Sequence, residues 1–357
     1  MTAKSTASPF DTVALTDWLT SLPDSGITGP VELTRIGAGQ SNLTYLATDD
    51  IGNSVVVRRP PLGHLAASAH DVLREGRIMA SLADTDVPVP TIYGATTTAE
   101  EVPTIYGATT TAEEVPVIAM SVVDGTSLNS PKSASLLSPD ARRAAAFGLV
   151  DAMTAVHRVD LEETGLTSLA SRKPYAPRQL RRWAGQWDQT KTREAPALEA
   201  LTGRLRAAVP EQSETVLVHG DLHLGNIIVD ESTGTVNAVV DWELTTLGDP
   251  MADIGSLLAY WPSADGPNLP GFDAALAEGF PTADELADRY LEKTGRSRDA
   301  LNYWHVLGLW KVAIIIEGVL RRVRDTPENE ATSGAPTAAV ADDLIERATR
   351  IADATGL

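Results

Sequence analysis

Apolar and polar positions divide the chain into two dissimilar parts. Near the start, Leu15, Trp18, Leu19 and Leu22 recur at helical spacing over residues 11–22. Asp11 is placed to cap that helix, and Pro23-Asp24-Ser25-Gly26 ends it. Three strand-like runs follow, at residues 31–36, 43–47 and 54–58, with a turn at residues 49–53. Gly37-Ala38-Gly39-Gln40-Ser41-Asn42 lies between the first two. Val72, Met79 and Leu82 then fall on one helical face, with Ser68 as the candidate cap. Residues 117–123 form the continuous apolar run of a buried strand, broken by Asp124-Gly125. Beyond that point helical periods dominate. Ser138-Pro139 opens one to about residue 157, and others are expected at 178–187, 194–209, 249–260, 283–294, 298–323 and 338–354. Short strands are expected at 215–218, 227–229 and 236–240, and a polar loop at 326–337.

One stretch breaks the pattern. Residues 89–101 read Val-Pro-Thr-Ile-Tyr-Gly-Ala-Thr-Thr-Thr-Ala-Glu-Glu and recur letter for letter as residues 102–114. A solenoid needs about three or more diverged copies to bury a continuous core, so this is a tandem duplication and not a repeat architecture. With one copy removed, the pattern runs through one strand and one turn into residues 115–123. One copy is therefore expected to supply the strand and the other to be extruded as a surface loop.

At 357 residues, the chain exceeds what one core usually serves, and a division into residues 1–123 and 124–357 is expected. There is no cysteine, which excludes disulfides, thiolate metal sites and cysteine nucleophiles. The first nine residues lack an apolar segment, and the run at 312–320 contains Glu317 and is too short to span a bilayer. A cytoplasmic protein is expected. The formal charge of −19 argues against nucleic-acid and anionic-membrane partners, both of which bind through Lys and Arg. Such acidity serves solubility and can also favour cationic ligands.

The chemistry concentrates in His219-Gly220-Asp221-Leu222-His223-Leu224-Gly225-Asn226 and, after an apolar run, Asp241-Trp242-Glu243. Phosphoryl transfer needs a carboxylate beside the attacking hydroxyl, and oxygen donors for the magnesium that bridges the nucleotide phosphates. Asp221 is the candidate catalytic base, and Asn226 and Asp241 the candidate metal ligands. The bland alternative is that Asp221 and Asn226 are loop residues bonding their own backbone. His219 and His223 are expected to hold the loop, and Asp249 and Asp253 to be structural. Tyr303, Trp304, Trp310 and Glu317 share a helix on which an aromatic stripe is more often core than pocket. The chain has no Gly-Lys dipeptide, so a Walker P-loop is excluded.

The order of these motifs resembles the aminoglycoside phosphotransferase and choline-kinase family. It comprises the early glycine turn, Asp124-Gly125, the His219 to Asn226 run, Asp241-Trp242-Glu243, then Gly248-Asp249-Pro250 and Asp253. The resemblance implies an α+β, bilobal, protein-kinase-like fold with a small β-rich N-terminal lobe, a larger mainly helical C-terminal lobe, and ATP in the cleft. It implies that Gly37, Gly39, Ser41 and Asn42 cover the phosphates and that Ser121 and Val123 meet adenine through backbone groups. ATP and Mg2+ are the implied cofactors. The immediate arrival of Gly248-Asp249-Pro250 after Asp241 leaves no room for the long activation loop of a protein kinase.

There is one departure. Kinases of this kind place a Lys on the third strand, but no Lys occurs between Lys4 and Lys132. Arg58 stands in the expected place, with Glu75 on the following helix as its partner. An Arg binds phosphate as a bidentate fork and not as a point charge. Within the family, Tyr175 to Trp187, with Arg178-Gln179-Leu180-Arg181-Arg182-Trp183, is similar to the kinase-like domains fused to acyl-CoA dehydrogenases. The expected activity is transfer of the γ-phosphate of ATP to a hydroxyl of a small molecule, either an aminoglycoside-like antibiotic or a hydroxylated metabolite such as a hydroxy acid or hydroxyacyl-CoA. A non-catalytic nucleotide-binding scaffold is the alternative, and the chain is expected to be a monomer or homodimer.

Overall fold

Asp11 opens the first helix, α1 (Thr12–Ser21), by accepting hydrogen bonds from the amides of Val13 and Ala14. The strands β1 (Val31–Ile36), β2 (Leu43–Asp49) and β3 (Ser54–Arg59) follow, then α2 (Val72–Leu82), β4 (Ile92–Val102) and β5 (Thr111–Ser121). They form one antiparallel sheet in the order β1-β2-β3-β5-β4. This computed structural model describes residues 10–37, 42–61, 71–102, 111–171, 173–263, 266, 269, 271–325 and 336–357. Gly39, Ser41 and the candidate cap Ser68 lie outside the described residues. The observed cap of α2 is Asp71, whose carboxylate accepts from the Arg74 amide.

Period-two alternation gives this sheet two different faces. Tyr45 and Ala47 of β2, Val55 and Val57 of β3, and Val117 and Ala119 of β5 bury against Phe10, Leu15 and Leu19. Each large apolar side chain buried this way contributes roughly 1.5–3 kcal/mol. Arg58 takes the other face. Arg59, out of step by one, is buried, with its guanidinium 5.1 Å from the Phe10 ring centroid. At Gly76 a Cβ would come within 2.9 Å of Ile118, so α2 approaches the sheet more closely than a larger residue would permit.

The duplication enters this sheet. Ile92 pairs with Met120, and the ladder continues through Thr97↔Pro116 to Val102↔Thr111, with one irregularity at Ile92/Gly94. The first copy thus supplies β4, and the tail of the second, Thr111 to Glu114, lengthens β5. The expectation of a copy extruded wholly as loop is corrected in part: Ala99, Glu100 and Glu101 of the first copy pair with Glu114, Glu113 and Ala112 of the second, so the end of the second copy continues the ladder. Residues 103–110 lie outside the described residues.

A second compact unit holds residues 85–88 and 124–357, while the first holds the chain up to Asp84 together with Val89–Val123. The second unit contains β6 (Thr126–Ser127), α3 (Pro131–Ala134), α4 (Pro139–His157), α5 (Tyr175–Thr190), α6 (Pro196–Ala207), β7 (Val216–Val218), β8 (Ile227–Val229), β9 (Val236–Val239), β10 (Thr246–Gly248), α7 (Met251–Tyr260), α8 (Ala283–Thr294), α9 (Arg298–Asp325) and α10 (Ala338–Thr355). β10 pairs with β7, and β6, β8 and β9 form a second small sheet. α5 starts three residues before the expected position because Pro177, in its first turn, lacks only an amide that has no helical partner there. Tyr303, Trp304, Trp310 and Glu317 are all buried in α9. Among the described residues, no helix is long and apolar enough to cross a membrane.

Candidate active site

Short strands deliver the candidate residues, and buried side chains fix the loop between them. β7 ends at Val218. The amides of His219 and Gly220 then both donate to the Asp253 carboxylate of α7, each at 2.8 Å. His157 Nε2 lies 3.1 Å from the same carboxylate, and its Nδ1 lies 2.9 Å from the Tyr290 hydroxyl. Asp253 is 1 % exposed, so an unmet acceptor there would be costly; three donors meet it. Gly220 sits at φ +87°, and a Cβ there would come within 2.7 Å of the Leu244 carbonyl oxygen. Positive φ and the close backbone approach together exclude another residue at the centre of His-Gly-Asp.

His219 links the two halves of the site. Its Nε2 is 3.1 Å from the Val240 carbonyl oxygen, and the Asp221 amide donates to its Nδ1 at 3.3 Å. With Nδ1 accepting, the proton sits on Nε2. Burial lowers the pKa of His219 against the opposing pull of Asp253, Asp221 and Asp241. The Asn226 side-chain amide donates to the Asp221 carbonyl at 2.8 Å, and the Val240 amide donates to the Asn226 carbonyl at 2.9 Å. Asp221 and Asn226 are thus tied to each other and to Val240, the residue before Asp241. Asp241 has φ 67° and ψ 60°, the single non-glycine residue with positive φ among the described residues. Such a conformation costs about 1–3 kcal/mol and is concentrated at functional sites.

The Asp221 carboxyl is pushed up by burial but pulled further down by the neighbouring His223 imidazole and by the charges of Lys311 and His219. The net direction is downward, so the group is an ionised acceptor at neutral pH. His223 Nε2 lies 3.6 Å from Asp221 Oδ2, while its Nδ1 accepts from the Gly225 amide at 3.0 Å. Tyr260 and Phe272 stack at 4.2 Å with 2° between their planes, and the His223 ring meets Phe272 edge-on at 4.9 Å.

The remaining candidates sit in the first unit. Arg58 Nε donates to Glu75 Oε2 at 2.9 Å, and Glu75 is 1 % exposed. Asn42 is buried and Gly37 has φ +78°. The Ser121 amide donates to the Thr91 carbonyl at 2.8 Å, and its hydroxyl accepts from the Thr91 amide at 3.0 Å. Val123 lies two residues beyond the end of β5.

Two features escaped the sequence reading. The His157–Asp253–Tyr290 network joins α4, α7 and α8, which no local pattern connects. Lys311 of α9 is the second. Burial lowers its pKa, the charges of Asp221 and Asp253 raise it, and Arg182 lowers it, for a net downward shift. Lys311 Nζ is 5.5 Å from the Trp183 ring centroid, and a cavity of about 20 Å³ beside it is lined by Tyr175, Gln179, Trp183, Ser256 and Trp304. A lone lysine in an aromatic helix carries no spacing signal.

The donor set suits a magnesium ion that arrives with a nucleotide. Among the described residues, no cluster of three or more His, Cys, Asp or Glu side chains could hold a metal by itself. With its nitrogen committed to Asp221, Asn226 offers Oδ1, and Asp241 offers a carboxylate. Two hard oxygen donors leave positions for phosphate and water, as magnesium prefers.

Residues 32–293 match the phosphotransferase enzyme family. The chain is 35% identical to acyl-CoA dehydrogenase family member 10 of Mus musculus over 92% of its own length and 30% of that protein. The curated relatives it matches are longer proteins, of which it spans 30% to 39% in the first two. A candidate aminoglycoside phosphotransferase from Ralstonia eutropha shares its fold at a TM-score of 0.75 and 29% identity, over 96% of this chain and 99% of that one. The ternary complex of aminoglycoside phosphotransferase APH(4)-Ia with AMP-PNP and hygromycin B superimposes at a TM-score of 0.58, with 13% identity over 95% and 98% of the two chains. At that identity the likeness concerns the fold.

Proposed function

Because the chain belongs to the phosphotransferase enzyme family, we propose that it is an ATP- and magnesium-dependent kinase of a small-molecule alcohol, with Asp221 as catalytic base. The observation that carries this reading is the tie from Asp221 through Asn226 to the strand end preceding Asp241, made by two hydrogen bonds of 2.8 and 2.9 Å. It holds the base beside one metal-ligand candidate and next in sequence to the other, as positioning catalysis requires. The ionised Asp221 accepts a hydrogen bond from the acceptor hydroxyl and aims its oxygen at the γ-phosphorus. As the new P–O bond forms, the bond to the β-phosphate oxygen breaks, ADP leaves, and the hydroxyl proton passes to Asp221. Asn226 Oδ1 and the Asp241 carboxylate hold magnesium, which when bound neutralises charge on the phosphates. Arg58, oriented by Glu75, contacts phosphate oxygens. Gly37, Gly39, Ser41 and Asn42 cover the phosphates, and Ser121 and Val123 meet adenine.

The likeness to acyl-CoA dehydrogenase family members supports a hydroxylated acid or its thioester over an aminoglycoside as the acceptor. The test is ADP release against a panel of aminoglycosides, macrolides, amino alcohols, hydroxy acids and hydroxyacyl thioesters. Turnover with a hydroxy acid or its thioester is expected. Nucleotide binding with no turnover on any acceptor would favour the scaffold alternative.

A further inference from the structure

Three hydrogen-bond donors without acceptors open into the cavity beside Lys311. Among the described residues Lys311 makes no ion pair, and the Trp183 ring, 5.5 Å from its Nζ, is its cation–π partner. A half-buried ammonium is normally matched by a carboxylate, because leaving water costs it free energy. Gln179 is the second donor. Its Oε1 accepts from Trp183 Nε1 at 3.0 Å, and since an indole only donates, that contact orients the amide and leaves Nε2 with no acceptor. The third is Ser256 of α7, whose hydroxyl makes no hydrogen bond to a described residue. All three side chains are half-buried and not sealed, so their polar atoms reach the cavity. At about 20 Å³ it has room for a small polar head group and none for a sugar ring. The cavity also lies near the proposed base. Ser256 and Tyr260 share a face of α7, one turn or about 5.4 Å apart. The Tyr260 ring is 5.9 Å from the His223 ring, and His223 Nε2 is 3.6 Å from Asp221 Oδ2.

We propose that Lys311, Gln179 and Ser256 form a subsite for the carboxylate of the acceptor, so that a hydroxy acid is held by its acid end while its hydroxyl reaches Asp221. The part concerning the hydroxyl rests on the kinase reading above; the carboxylate subsite rests on the cavity alone. A carboxylate only accepts hydrogen bonds, and the cavity offers an ammonium, an amide and a hydroxyl that all donate. A neutral alcohol at this end leaves the Lys311 charge uncompensated, and an aminoglycoside brings a second ammonium against it. A thioester carbonyl accepts the same hydrogen bonds but carries no charge to match Lys311. Lys311 is therefore the residue that sets the preference for a free acid.

The probe is butanoate, which has the carboxylate but no hydroxyl, with n-butanol and n-butylammonium as controls. Each is titrated into the whole protein and followed by saturation-transfer NMR. Butanoate is expected to bind and the two controls not to bind. Lys311→Met removes the charge at similar length and should weaken butanoate about tenfold or more, the scale of one charge-assisted hydrogen bond, with nucleotide affinity retained. Ser256→Val narrows the cavity and should have the same effect, which keeps the test open if Lys311→Met folds poorly. These measurements need no phosphoryl transfer, so they separate the subsite from the kinase reading: butanoate binding that depends on Lys311, with no ADP release on any acceptor, would support the subsite and sink the kinase. In ADP-release assays with ω-hydroxy acids, Lys311→Met should raise KM about tenfold and change kcat less. No binding of butanoate to the wild type, equal binding of butanol, or binding unchanged in both variants would overturn the proposal, as would a KM for hydroxy acids that Lys311→Met leaves unmoved.

Discussion

The loop at residues 219–226 and the β4–β5 hairpin differ in what fixes their backbones. The loop takes its shape from side chains far away in sequence: Asp253 holds two of its amides, and His219 joins it to Val240. The hairpin is held by its own ladder, strand against adjacent strand, from Ile92↔Met120 to Val102↔Thr111. A ladder can be lengthened by adding residues at its open end, and the repeated segment does that. The loop has no such freedom, because a shift of one residue would detach Asp253 from both amides and bring a side chain to the Gly220 position. Rigidity is thus concentrated where chemistry is proposed, and tolerance where only the sheet is at stake.

The contrast is strongest if the loop fails chemically before it fails structurally. Asp221→Asn is expected to lower kcat by about 10²–10⁴-fold while leaving nucleotide affinity nearly unchanged. Steady-state kinetics with calorimetry measure both, and near-normal turnover would remove Asp221 from the mechanism. Asp253→Ala attacks the same loop from below. It strips the acceptor from His219, Gly220 and His157 and should cost about 3–5 kcal/mol in denaturant melts. The pH dependence carries the same signature. The Asp253 carboxyl is pushed up by burial but held below its ordinary 3.8 by the His157 hydrogen bond, the His157 and His219 charges and the Gly220 amide. Its stabilisation is therefore present above pH 3.8 and lost as the pH falls through the depressed folded value. His219, whose pKa burial lowers from 6.5, adds an earlier loss that begins as the pH drops below 6.5. Melts of the wild type that stay flat from pH 7 to pH 3 would contradict both.

A smaller effect is expected at Asp241. Asp241→Ala should weaken the magnesium-dependent tightening of ATP binding about tenfold or more, since the neutral Asn226 cannot replace a carboxylate's charge. Titrations with and without magnesium read this directly, and an unchanged ratio would refute the ligand assignment. His223→Ala removes the neighbouring side chain that does most to keep Asp221 ionised. The acid limb of kcat/KM should then move to higher pH, with a smaller loss at neutral pH than in Asp221→Asn. An unmoved limb would separate His223 from the base.

Much of the fold is visible in the chain because its causes are local. Asp11 and Ser138 cap where their letters suggest, and the β3 alternation separates Arg58 from buried Arg59 without any tertiary information. The phosphotransferase family is legible in His219 to Asn226 and Asp241. Other features depend on meetings that local pattern does not encode. Asp253 can be read as structural, but its three donors come from positions as distant as His157. Lys311 looks like any helix residue until α9 packs beside Trp183. The pairing of one repeat copy with the other could not be read either, since identical letters give no preference for one register. The αL backbone of Asp241 lies at the end of an apolar run that reads as continuing strand, and only the tertiary context of β8 and β9 imposes it.

The smallest effect should come from the hairpin. Deleting residues 102–114 restores one copy and leaves the register from Ile92 to Thr97 against Pro116 to Met120 intact, because those pairs lie on the sheet side of the excision. What changes is the closing segment. Loop-closure entropy varies by only about 0.6 kcal/mol for each doubling of loop length, and a few outer ladder pairs are lost in exchange for a shorter connection. The two contributions oppose each other, so stability should shift by less than about 1 kcal/mol. The Thr91–Ser121 pairing, at the far end from the excision, should persist and with it nucleotide affinity. Thermal melts and calorimetry of the shortened chain decide the matter. A deletion variant that unfolds, or that loses nucleotide binding, would mean that the second copy is integral to the sheet, and the contrast between a tolerant hairpin and an over-determined loop would fall.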